Sequence, residues 1–153
     1  MRALILILAV LAPVSAHAQA GGPLGSCRIV NNPIDFGTYH PLNRGQMAAI
    51  GLVRLICKAG RPAGARITLT PGQSGNSLDR TMVNGSKELH YNIFIDPQHL
   101  GIVGDGSNGT QVLTQRSRSS QPADTFPVFG LIPPRQSVPA GFYSDNLTII
   151  VTF

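Results

Sequence analysis

Beyond the first twenty residues no stretch of a dozen keeps a 3.6-residue apolar period without a breaker, in a chain with 12 prolines and 17 glycines. An α-helical domain is excluded on that ground. Beyond the first twenty residues no apolar run approaches the ~20 residues that a membrane-spanning helix needs. Acidic residues are few: Asp35, Asp79, Glu88, Asp96, Asp105, Asp124 and Asp145. No spacing assigns two of them to one site, so a carboxylate pair for glycoside hydrolysis has no support. The chain lacks a G-x-S-x-G elbow and a C-x-x-C pair. His40, His90 and His99 stand at spacings that match no metal-site pattern. Gly104-Asp105-Gly106 and the following Ser107-Asn108-Gly109 lack the alternating carboxylates and distal glutamate of a calcium loop, and read as a tight turn. The sequence therefore predicts no enzyme, no cofactor and no metal.

The amino-terminal twenty residues do carry a signal. Met1-Arg2 gives a short positive start, Ala3 to Val14 is apolar apart from Pro13, and Ala16-His17-Ala18 and Ala18-Gln19-Ala20 fit small-x-small cleavage patterns. Residues 1–20 are read as a cleaved secretory signal, with cleavage after 18 or 20, and residues 21–153 as one exported domain that is not transmembrane. Removing Arg2 leaves eleven Lys/Arg against seven Asp/Glu, and the positive residues are scattered. Only Arg116-Ser117-Arg118 is dense, so nucleic acid is not an expected partner. Two cysteines, Cys27 and Cys57, form an even count in an exported chain, which favours a disulfide.

Strand signals fill the rest. Residues 51–57 are β-rich, 65–70 alternate with Ile67 and Leu69 inward, and 88–96 alternate with Leu89, Tyr91, Ile93 and Ile95 on one face. Shorter strands are expected at 27–30, 34–36, 112–114 and 126–132, and the polar residues 115–124 are expected to form an exposed loop. The chain closes on Leu147-Thr148-Ile149-Ile150-Val151-Thr152-Phe153, with no charge or turn after it. Leu147, Ile149, Val151 and Phe153 share one face, and the continuous apolar run reads as a strand covered on both sides. Short strands, turn-rich spacers and no helices predict an all-β sandwich.

Several motifs, in this order, resemble the spore coat protein U domain family, which includes subunits of archaic chaperone–usher pili. They are Cys27 with Phe36-Gly37-Thr38-Tyr39, the run 51–57 ending at Cys57, Leu69-Thr70, and Arg80-Thr81-Met82. Leu89 to Asp96, Gly104-Asp105-Gly106, Phe129-Gly130-Leu131-Ile132-Pro133 and Gly141-Phe142-Tyr143-Ser144-Asp145 through Phe153 complete the set. Val103 stands where the family often has Trp, and Phe153 where it often has Tyr.

The resemblance implies an incomplete immunoglobulin-like β-sandwich lacking its final strand, completed by donor-strand complementation. A periplasmic chaperone, an usher and neighbouring pilus subunits are the implied partners. Leu147, Ile149, Val151 and Phe153 would line the acceptor groove, beside the Cys27–Cys57 bridge. Between the expected cleavage site and Cys27, residues 21–26 carry only Leu24 as a large apolar side chain, with Pro23 removing a donor. The expectation is a subunit that accepts a strand and donates none, tip-like in position, serving surface attachment and biofilm formation from the cell surface. The alternative is a self-contained secreted sandwich that binds a glycan or small ligand.

Overall fold

The computed structural model describes residues 27–57, 64–114 and 123–153. The expected signal sequence at 1–20, the stretch 21–26 and residues 115–122 of the expected loop lie outside them. Among the described residues the chain forms eight strands: β1 (Cys27–Asn32), β2 (Met47–Cys57), β3 (Arg66–Leu69), β4 (Arg80–Asn84), β5 (Lys87–Phe94), β6 (Leu113–Thr114), β7 (Ala123–Ile132) and β8 (Ile149–Thr152). A 3-10 turn at Gly72–Ser74 follows β3. The strands pair in two sheets, a five-stranded one in the order β1-β2-β7-β5-β4 and a three-stranded one in the order β6-β3-β8.

Alternation decides which side chains meet. Val53 and Leu55 of β2, Ile67 and Leu69 of β3, Leu89, Tyr91 and Ile93 of β5, and Val128 and Ile132 of β7 are buried and point between the sheets. Val103 and Leu113 add to the same interior. The strands of the larger sheet are joined in antiparallel register, with Cys27 opposite Cys57 and Leu55 opposite Asp124. Cys27 and Cys57 form the expected disulfide, tying the start of β1 to the end of β2.

Four local expectations change. Residues 34–36 do not form a strand. Instead Ile34 and Phe36 turn into the core across the inner face of the larger sheet, where Gly51 and Gly130 leave room for them. A Cβ on Gly130 would lie 2.6 Å from Phe36 Cζ, and one on Gly51 would lie 2.7 Å from Ile34 Cγ1. Phe36 then stands edge-on to Tyr91, with ring centres 5.9 Å apart. Gly130→Val is accordingly expected to displace Phe36 and to cost about 2 kcal/mol of stability, as overpacking does; an unshifted urea midpoint would contradict this fit.

The second change is β4, which alternation does not reveal because its inward positions are Arg80 and Met82, and a charged residue breaks the pattern. The third is the segment 115–124, whose last two residues, Ala123 and Asp124, open β7. The fourth concerns the terminal strand. β8 is an edge strand, paired with β3 alone, and its outward Ile150 is 46% exposed. Among the described residues it is not covered on both sides, since Ile150 stands open on the outer face.

Candidate functional site

Paired residues share a face of the sheet, and this makes the two open edges unusual. Ile29 of β1 stands opposite Leu55 of β2, facing inward. Leu55 is 1% exposed, whereas Ile29 is 37% exposed. At the edge of the smaller sheet, Ile149 and Val151 stand opposite Leu69 and Ile67 of β3, which are buried. Ile149 and Val151 are only half-buried. Val151 packs against the cluster of Leu55, Cys57 and Ala65, as does Cys27, so β8 lies on the β1–β2 side of the sandwich. Inward-facing apolar side chains are therefore incompletely covered along both edges on that side.

The four residues expected to line the groove fall as follows. Leu147 precedes β8 and is half-buried, packed on the main core with Ile149 and Val151. Phe153 follows β8 and is 52% exposed. The backbone of β8 spends one side on β3, through the pairs Leu69↔Ile149 to Arg66↔Thr152, and its other side faces no strand among the described residues. An edge with unpaired N–H and C=O groups above a partly bare apolar floor is a template for one more strand.

Above this edge lies a polar network. The Asp145 carboxylate accepts from the Tyr91 hydroxyl on Oδ2 at 2.8 Å, and from the Gln73 and Asn146 backbone N–H groups on Oδ1 at 2.9 and 2.8 Å. Beside it Arg80 is fully buried. Its Nη1 donates to the Ser77 carbonyl and to Asn92 Oδ1, its Nη2 to the carbonyls of Thr70 and Val103, at 2.8–3.2 Å, and Nε finds no acceptor. Burial pushes the guanidinium below its ordinary value, while Tyr91 and Asp145 act the other way. Burial, together with the bond to Asp145, holds the Tyr91 hydroxyl protonated well above the usual range for a phenol. Nothing in the sequence alone ranked Asp145 above the other acids, because its partners come from positions 72 and 54 residues away.

Among the described residues no three His, Cys, Asp or Glu side chains come together as a metal site. His90 bonds Asp79 at 2.7 Å on the surface, and Asp96 caps its own turn by accepting from the N–H groups of Leu100 and Gly101.

A family model for the Spore Coat Protein U domain matches residues 13–150. The chain belongs to that family. Among solved structures it is similar to a chain of the CsuC–CsuE chaperone–tip adhesion subunit pre-assembly complex from archaic chaperone–usher Csu pili of Acinetobacter baumannii, at 20% identity and a TM-score of 0.59. That match covers 85% of this chain but only 40% of the other. The P pilus rod subunit PapA is similar at 17% identity and a TM-score of 0.55, over 82% of this chain and 97% of that one. No curated protein sequence matches the chain. At such identities the solved structures establish the fold, an immunoglobulin-like sandwich of the pilus-subunit kind.

Proposed function

We propose that this SCPU domain is an exported chaperone–usher pilus subunit that accepts a donated β-strand between β1 and β8. The observation that carries the reading is the contrast between Ile29 and its opposite neighbour Leu55, mirrored by Ile149 and Val151 against Leu69 and Ile67. An extended strand laid along β8 would take up its free backbone groups. Every second side chain of that strand would point inward and cover Ile29, Ile149 and Val151. A periplasmic chaperone, an usher and neighbouring subunits are the partners this implies. A tip-like position and a part in attachment and biofilm formation belong to the same proposal. The tip-like position draws on the composition of residues 21–26, where Leu24 is the only large apolar side chain and Pro23 has no N–H to donate.

The test is calorimetry of the mature chain with a peptide of alternating large apolar and polar residues. At a peptide concentration a hundredfold above Kd, the complex should gain about 2.7 kcal/mol. Val151→Lys should remove most of that gain, because the lysine would stand in the floor under the inserted strand. A mature chain whose melting temperature ignores donor peptide and chaperone alike would sink this reading in favour of a self-contained binding module.

A further inference from the structure

The terminal strand has little built-in register. β8 pairs through four residues, and Ile149-Ile150-Val151 is apolar on both faces. A slip of one residue flips every side chain of a strand, and the buried face normally forbids it. Here the slip would exchange Ile149 and Val151 for Ile150, with Thr148 and Thr152 on either side, and would bury no charge. Nor does β8 have a neighbour on its second edge among the described residues.

The segment leading into β8 is nevertheless held at several points. Ser144 exchanges backbone bonds with Val83 of β4 at 2.8 and 3.2 Å. The Asp145 carboxylate joins Tyr91 of β5 to Gln73 of the 3-10 turn. Thr148 donates its N–H to Thr70 Oγ1 at 2.8 Å and accepts from the Thr70 N–H at 3.1 Å. Of these, only the Asp145 contacts cannot be remade after a shift of one residue. The carboxylate would leave both a buried tyrosine hydroxyl and the Gln73 N–H behind. The backbone bonds of Ser144 and Thr148 carry no such side-chain identity.

We propose that Asp145 is a positioning residue that locks the register of β8, so that the open edge always presents Ile149 and Val151 inward. The purpose of the lock rests on the strand-accepting reading; its geometry does not. A lock of this kind sets specificity, because a slipped β8 would offer an incoming strand a floor of Ile150 flanked by two threonines.

Cross-linking reads the register directly. Thr68 stands opposite Ile150 on the outer face, and directly opposed residues of paired strands lie within the Cα separation that a disulfide spans. Thr68→Cys combined with Ile150→Cys reports the native register in the mature chain. Thr68→Cys combined with Ile149→Cys or with Val151→Cys reports a slip in either direction. With Asp145 intact the first pair should dominate. In an Asp145→Ala background the native cross-link should fall at least threefold while a slipped one rises. Should that variant fail to fold, Asp145→Asn and Tyr91→Phe each remove part of the contact and should give intermediate ratios. An unchanged ratio of native to slipped cross-links in these backgrounds overturns the lock. Donor-peptide capture, measured on the same samples, keeps the two readings apart. Capture that declines with the native cross-link supports the lock. An unaltered chain that captures no donor defeats the strand-accepting reading, and the cross-link ratio still decides the register on its own.

Discussion

Arg80→Met should lower the unfolding free energy by about 4 kcal/mol, read as a shift in urea midpoint at constant slope. The reason is what the arginine would leave behind. Its guanidinium satisfies the carbonyls of Ser77, Thr70 and Val103 and the Asn92 amide, and the group is fully buried. The Ser77 carbonyl keeps a bond from Asn92 Nδ2 and Asn92 Oδ1 keeps one from the Ile93 N–H, so the loss falls mainly on the Thr70 and Val103 carbonyls, at about 1–3 kcal/mol for each acceptor stripped of its donor. Replacing a buried charge by an apolar side chain is often harmless when its partner is replaced as well. Here the partners include three backbone carbonyls, which no side-chain substitution removes. Arg80→Lys should fall in between, at about 2 kcal/mol, because one ammonium cannot reach acceptors on opposite sides of a planar fork. A methionine variant within 1 kcal/mol of the parent would show that Arg80 is not the clamp between β4 and the end of β3.

Removal of the disulfide ranks close behind. Cys27 and Cys57 are separated by 30 positions, and opening a loop of that size releases about 3–4 kcal/mol of denatured-state restraint. For a domain of this size that corresponds to roughly 10 °C in Tm. The paired Cys27→Ala and Cys57→Ala variant should also loosen β1 specifically, since among the described residues β1 has only β2 for a neighbour in its sheet. Amide exchange should therefore rise more in Cys27–Asn32 than in β5, which is flanked on both sides. Equal melting temperatures for the two proteins would mean that the strand ladder between β1 and β2 holds the edge without the bridge.

Much of this architecture was legible from alternation. Residues 65–70 and 88–96 declared their inward positions, and Ile67, Leu69, Leu89, Tyr91 and Ile93 are all buried. β4 was not legible, since its inward Arg80 is tolerated only because four acceptors from distant positions converge on it. Ile34 and Phe36 looked like a strand because they alternate, yet they pack over two glycines on neighbouring strands instead. For the candidate site, the apolar terminal strand was visible and its surroundings were not. A run such as Ile149-Ile150-Val151 reads as buried on both faces, whereas its exposure depends on how many strands the smaller sheet holds.

By itself the sequence determined the all-β class, the cysteine pair and the apolar faces of the main strands. These are local properties, set by residue type and by a period of two. Only the tertiary structure decided that β8 is an edge, that Ile29 and Val151 lie incompletely covered on one side, and that Asp145 joins Tyr91 to Gln73. Those facts depend on sheet order and on contacts between residues far apart in the chain, which alternation along a strand does not encode.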